Sequence, residues 1–170
     1  MRPAAASDAA DIARIHVEVW REAYRGLMPD EFLAGLTPQA RAEAWAERLS
    51  DPDEPTRTLV ATRPDGMVGF CTVGPSRMET PEGYGELQAI NILVTAQHQG
   101  LGGRLVRAAA AQLADQGYSA MTLSTLRDNA PARMFYEALG GTLSGSHHDI
   151  FDSFSVPAVE YRWPDIKVLL

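Results

Sequence analysis

The stretch that most limits what this chain can become is Asn91-Ile92-Leu93-Val94-Thr95-Ala96-Gln97-His98-Gln99-Gly100-Leu101-Gly102-Gly103-Arg104-Leu105-Val106. A run dense in β-branched residues meets a polar, glycine-bearing turn, and an alanine-rich segment with few helix breakers follows, so the predicted order is strand, loop, helix. A helix starting at such a turn leaves its first backbone N–H groups without intrahelical partners, at the positive end of its dipole. Anionic phosphates bind there readily. Gly100, Gly102 and Gly103 carry no Cβ, which lets a pyrophosphate approach the amides closely; a tight turn that merely packs strand on helix would use the same residues. The spacing matches neither a P-loop, since no G-x-x-x-x-G-K-[ST] occurs, nor the dinucleotide pattern G-x-G-x-x-G, since the run from Gly100 ends in Leu105.

A chain of 170 residues, 45% of them hydrophobic, suits one domain with a single substantial core, spanning residues 1–170. Its net charge of −7 argues against a general binder of nucleic acid or of anionic membranes, because no basic block offsets the carboxylates. The lone cysteine, Cys71, has no internal disulfide partner and lies in the apolar run Val68-Gly69-Phe70-Cys71-Thr72-Val73, where a small buried hydrophobe is expected. Residues 1–20 show no signal-peptide pattern and no run approaches membrane-spanning length, so the expected location is cytoplasmic.

Met1 to Ala5 reads as a short strand, with Ser7 or Asp8 capping a helix whose buried stripe is Ile12, Ile15, Val19 and Ala23, widened by Trp20 and Tyr24. A short helix over Asp30 to Leu36 and another from Thr37-Pro38 to about Ser50 follow. Thr56 to Arg63 and Met67 to Gly74 form a predicted hairpin around Pro64-Asp65-Gly66. Glu86 to Val94 supplies the strand before the glycine turn, and the helix from Leu101 runs to about Gln116 with Gly117 as its stop. Ala120 to Leu126 is the next strand, parallel to the one before that helix. A helix from Asn129 to Leu139 precedes a closing hairpin, Thr142 to Phe151 and Val156 to Trp163, in which Pro157 suits only an edge or a strand start. The predicted fold is a mixed α/β sheet of the α+β kind: antiparallel strands flanking one parallel strand-helix-strand crossover, with helices on both faces.

Gln97-His98-Gln99-Gly100-Leu101-Gly102 matches Q/R-x-x-G-x-G/A, and Asn129-Ala130-Pro131-Ala132-Arg133-Met134-Phe135-Tyr136-Glu137-Ala138-Leu139-Gly140 matches N-x-x-A-x-x-F-Y-x-x-x-G at the right distance downstream. In these two blocks the chain resembles the GNAT N-acetyltransferase superfamily. The resemblance implies a GNAT-like fold and acetyl-CoA as cosubstrate. It also implies a coenzyme site built from Ile92, Leu93, Val94, Gln97, His98, Gln99, Gly100, Leu101, Gly102, Gly103, Arg104, Asn129, Ala132, Phe135 and Tyr136. The two strands around the crossover should splay to admit the pantetheine arm. Homodimers are common in the family, and no sequence feature marks an interface.

Further roles follow from the resemblance. Tyr136 is the candidate acid toward the coenzyme sulfur, its competing role being that of an interfacial aromatic. Asn129 would bond the coenzyme arm, cap its helix, or do both. Glu86 is the candidate base and also lies where the amine should bind; an exposed strand-end charge is the plainer alternative. If pleating aims Glu86 into the cleft, Gln88 and Ile90 share its face and Leu87, Ala89 and Asn91 take the other. His147, His148 and Asp149 are the next candidates for the base. No metal site is expected, because adjacent histidines on a strand point to opposite faces. Trp20 and Tyr24, with Phe32 and Trp45 behind them, are candidates for lining the acceptor pocket. The acceptor is expected to be the amine of a small molecule or a peptide, and the donor to be acetyl-CoA or another short acyl-CoA. A non-catalytic acyl-CoA sensor would carry the same turn.

Overall fold

The computed structural model describes residues 1–151 and 153–170. It begins with a two-residue strand, β1 (Arg2–Pro3), shorter than expected. The Asp8 carboxylate accepts from the Arg2 guanidinium at 2.7 and 2.8 Å and from the Ala5 amide at 2.8 Å, which turns the chain early into α1 (Ala9–Ala23). Asp8 therefore serves Arg2 and Ala5 and gives α1 no side-chain cap. Next come α2 (Asp30–Gly35) and α3 (Pro38–Ser50), the latter capped by Thr37, whose hydroxyl accepts from the Ala40 amide at 3.4 Å.

The predicted hairpin forms from β2 (Arg57–Arg63) and β3 (Gly66–Pro75). Strand β4 (Tyr84–Ile92) starts and ends earlier than expected. At its end β4 is still held by β3: Gly69 pairs with Ile92, and the Val68 carbonyl accepts from the Leu93 amide at 3.0 Å. Val94 then enters a 3-10 turn and is 56% exposed, so it is not the strand residue the sequence suggested. After the glycine turn come α4 (Leu101–Asp115), β5 (Ala120–Leu126), α5 (Ala130–Ala138), β6 (Thr142–Phe151) and β7 (Phe154–Trp163). None of the described helices is long and apolar enough to cross a membrane.

Among the described residues, seven strands form one sheet in the order β1-β2-β3-β4-β5-β7-β6. The pair β4 and β5 is parallel and the others are antiparallel, as the crossover predicts. That parallel ladder is short: Tyr84, Gly85 and Glu86 face Ala120, Met121 and Thr122, and no further pairing follows. Beyond it β4 stays bound to β3 and β5 to β7, so a gap opens between them. Pro157 sits inside β7, yet its missing N–H leaves no broken bond. Its carbonyl accepts from the Arg127 amide at 2.9 Å, so the ring nitrogen faces the side on which β5 has already ended at Leu126.

Alternate residues of β2 and β3 feed apolar clusters on the two faces of the sheet. Leu59, Ala61, Cys71 and Val73 pack with Leu105, Ala109 and Leu113 of α4, while Val60 and Phe70 pack with Ile12, Ile15 and Trp45. Along β4 the alternation breaks. Thr72 pairs with Ala89 but Val73 with Leu87, so Gln88 is an extra residue in a β-bulge. The bulge corrects the simple pleat: Leu87, Ile90 and Ile92 now share the α4 face, and Ala89 joins the α1 and α3 face.

Candidate active site

The glycine turn is shaped by two left-handed residues, His98 at φ 56° and Gly100 at φ 72°. Glycine adopts this region freely, and histidine is one of the few other residues enriched there. Gly100 is the N-cap of α4 and supplies no side chain, and no acidic residue occupies the first turn. The first helical amide with a backbone acceptor is that of Arg104, bonded to the Gly100 carbonyl at 3.2 Å. The amides of Leu101, Gly102 and Gly103 are thus the uncapped donors of this helix end. Three side chains brace the turn. Gln97 donates to the Ile92 carbonyl at 3.0 Å, Gln99 donates to the Thr95 carbonyl at 3.2 Å, and Arg63 donates to the Gln99 side chain at 2.6 Å. His98 and Arg104 are exposed beside it. With the glutamine amides tied to backbone, the turn presents main-chain N–H groups outward.

The second motif block reaches the first through Gly102. A Cβ there would lie 3.0 Å from the Phe135 ring and 3.6 Å from Ile92, so glycine is what lets α5 and the end of β4 close on α4. Asn129 caps α5, accepting from the Ala132 amide at 3.3 Å. Tyr136, 7% exposed, packs against Phe135, Tyr161 and Trp163. Burial, and next the nearby Tyr24, push the Tyr136 phenol well above its ordinary pKa. Its hydroxyl has no hydrogen-bond partner among the described residues.

A cavity of about 640 Å³ opens where β4 and β5 part, lined by Glu86 and Gln88 on one side and Ser124, Thr125 and Leu126 on the other. Trp20 and Tyr24 form part of its wall. Burial first, and then Asp149, push the Tyr24 phenol up to about 12. Phe32 and Trp45 are not on this wall: Phe32 meets Phe151 and Phe154 edge-to-face, and Trp45 packs on Phe70 in the α1 and α3 cluster.

Glu86 is 1% exposed, not a strand-end surface charge, and both its oxygens are occupied. Oε2 accepts from the Arg77 amide at 2.7 Å, and Oε1 accepts from Arg77 Nε at 3.0 Å and from Nη2. His147 also lines the cavity, with Nε2 at 3.0 Å from Asp149 and 3.3 Å from the Ser124 hydroxyl, and Nδ1 at 3.4 Å from Glu160. His148 is exposed, as strand alternation requires. Cys71 is fully buried, and burial pushes its thiol up to about 12, far from a nucleophile's range.

Arg63, Arg77, Ser124 and Glu160 escaped the sequence reading. Arg63 and Ser124 meet partners 36 and 23 residues away, which no local pattern encodes. Arg77 had a usable signal, because once β3 and β4 pair, with Gly74 opposite Glu86, the residues just after β3 must lie over Glu86.

Comparison with known proteins identifies the family. Residues 15–141 match the Acetyltransferase (GNAT) family. An uncharacterized N-acetyltransferase of Bacillus subtilis (strain 168), YuaI, is 32% identical over 176 residues, covering 99% of this chain and 95% of that protein. The PaiA N-acetyltransferase of Thermoplasma acidophilum, solved in complex with coenzyme A, superposes with a TM-score of 0.74 at 18% identity, over 95% of this chain and 97% of that one. A ribosomal-protein-alanine N-acetyltransferase of Brucella melitensis gives 0.70 at 17% identity, over 95% and 97%. At such identities these two likenesses speak for the fold. The family match over most of the chain and the Bacillus relative carry the assignment: the chain belongs to the GNAT acetyltransferase family and is an acyl-CoA-dependent N-acyltransferase.

Proposed function

We propose that the protein moves an acetyl group from acetyl-CoA to a primary amine by direct attack within a ternary complex, with Glu86 as base and Tyr136 as acid. The observation that carries this reading is the gap between β4 and β5, which has uncapped helix amides at one end and an acceptor-sized cavity against its walls. The amides of Leu101, Gly102 and Gly103 suit a diphosphate. The free edge of β4 beyond Glu86 suits the amide-bearing arm, which can complete the strand's hydrogen bonds. The remaining residues of the turn, with Ile92, Leu93, Asn129, Ala132 and Phe135, would hold the rest of the coenzyme. The coenzyme A complex of the Thermoplasma relative supports the same cosubstrate here.

The acceptor must lose a proton to attack, since a lysine-like amine has a pKa of ~10.4 and an α-amine ~7.7 to 8. Glu86, which lines the cavity, would take that proton, directly or through water, once the Arg77 guanidinium gives way at Oε1. On the leaving side, a thiol of pKa ~8.5 departs readily as thiolate. A phenol whose pKa is raised keeps its own proton at neutral pH, so Tyr136 serves best as a hydrogen-bond donor to the departing sulfur. No covalent enzyme intermediate is needed, consistent with the inert Cys71.

Thiol release from acetyl-CoA in the presence of a panel of primary amines tests the reading. Amine-dependent release is expected, and none across the panel refutes it. Running propionyl-CoA and succinyl-CoA alongside reads out the acyl preference.

A further inference from the structure

The two oxygens of Glu86 are held by very different groups. Oε2 accepts from the main-chain N–H of Arg77 at 2.7 Å, within a turn braced by the Ser76 hydroxyl, which accepts from the Met78 amide at 3.2 Å. Among the described residues, Oε1 is met by the Arg77 guanidinium alone. The carboxylate side chain is 1% exposed, while that of Arg77 is 62% exposed and sits on a flexible stem facing water. Swinging into solvent costs the guanidinium one further contact, its long exposed bond to the Gln88 carbonyl at 3.4 Å, for which water substitutes, but the buried carboxylate it leaves requires another cation or donor. Both residues line the acceptor cavity, so the space vacated by the guanidinium belongs to that cavity.

A primary amine arrives at neutral pH largely as an ammonium, with the same charge as the guanidinium. We infer that Arg77 holds the place of the acceptor's ammonium: its guanidinium neutralises Glu86 in the empty enzyme and is displaced from Oε1 when the acceptor binds. The backbone contact to Oε2 keeps the carboxylate aimed during the exchange, and Glu86 is never left unpaired. Arg77 then competes with every acceptor and favours those that are cationic. Glu79, Asp149 and Glu160 line the same cavity, so amines without a carboxylate of their own are the class it selects. This rests on the reading that Glu86 receives the amine.

The test is isothermal titration of 1,4-diaminobutane into the protein saturated with coenzyme A, for the wild type, Arg77→Gln, Arg77→Lys and the Arg77→Gln/Glu86→Gln double variant. Arg77→Gln should bind the diamine at least about threefold tighter than the wild type, Arg77→Lys should fall between them, and the double variant should lose the gain. Coenzyme A affinity, unchanged across the set, verifies the fold. Should Arg77→Gln fail to fold, Arg77→Lys decides the matter, because a lysine still pairs with the carboxylate but covers it less. Equal or weaker diamine binding by the folded variants, or no binding by any of them, overturns the inference. Failure of the acetyltransfer reading shows separately, as absent thiol release from acetyl-CoA with the same amine while the order of diamine affinities persists.

Discussion

A phenol buried among Phe135, Tyr161 and Trp163 holds its proton tightly, and that decides what Tyr136 contributes. Removing its hydroxyl should slow the step in which sulfur gains charge and leave the earlier binding step alone. Tyr136→Phe is therefore expected to lower turnover roughly tenfold to a hundredfold with acetyl-CoA affinity within about twofold of wild type, as read by steady-state kinetics and titration. Unchanged turnover removes Tyr136 from the chemistry. His16 makes a prediction about stability instead. Both its ring nitrogens are buried without hydrogen-bond partners among the described residues, beside Trp20 at 4.8 Å and near Trp45 and Phe70. Burial, and then Arg41, push it down to about 4. The folded protein keeps His16 neutral where the unfolded chain, with an ordinary histidine pKa near ~6.5, takes up a proton. Its contribution is thus intact above about pH 6.5 and is lost progressively as pH falls toward the folded value. Thermal melts between pH 7 and 4 should show a shallower decline for His16→Phe than for the wild type; parallel declines contradict the assignment.

The turn between β4 and α4 shows how one residue serves a whole element. Gly100 has φ 72° and nothing within 4 Å of where a Cβ would stand, so a substitution there meets strain and no clash. Gly100→Ala should cost about 1 kcal/mol of stability in denaturant melts and weaken acetyl-CoA binding, because the strained turn can relax only by moving the amides of α4. A variant as stable as the wild type that binds the coenzyme equally well contradicts this. This element was legible in sequence because most of what shapes it is local, a β-branched run and three glycines within sixteen residues leading into an alanine-rich helix, while the Arg63 brace on Gln99 comes from 36 residues away. The bulge at Gln88 was not, since it arises from how β3 pairs with β4. Strict alternation put Ile90 on the Glu86 side, and the extra residue moved it to the α4 side. The splay of β4 from β5 is likewise invisible along the chain, because it depends on β3 and β7 each holding one strand past Glu86 and Thr122; only family resemblance anticipated it.

Taken as one molecule, the proposed site has a coenzyme half that two local motifs reveal and an acceptor half of which sequence reveals only some members. The coenzyme half joins two compact motifs that meet where Gly102 admits Phe135. The proposed acceptor half draws a few residues each from α1, the connection after β3, and strands β4, β5 and β6, with Glu160 of β7; Arg77, Ser124 and Glu160 among them carry no mark in their own stretch of chain. The net charge of −7 by itself does not mark an acceptor, but the carboxylates around the cavity place part of that surplus where the proposed amine would arrive. The most direct measurement is an amide NMR titration with acetyl-CoA. The largest shifts should fall on Gln99 to Gly103 and on Leu87 to Ile92, the uncapped helix end and the free strand edge. If those amides stay unmoved while shifts gather elsewhere, the coenzyme binds outside the gap and the mechanism built on it is wrong.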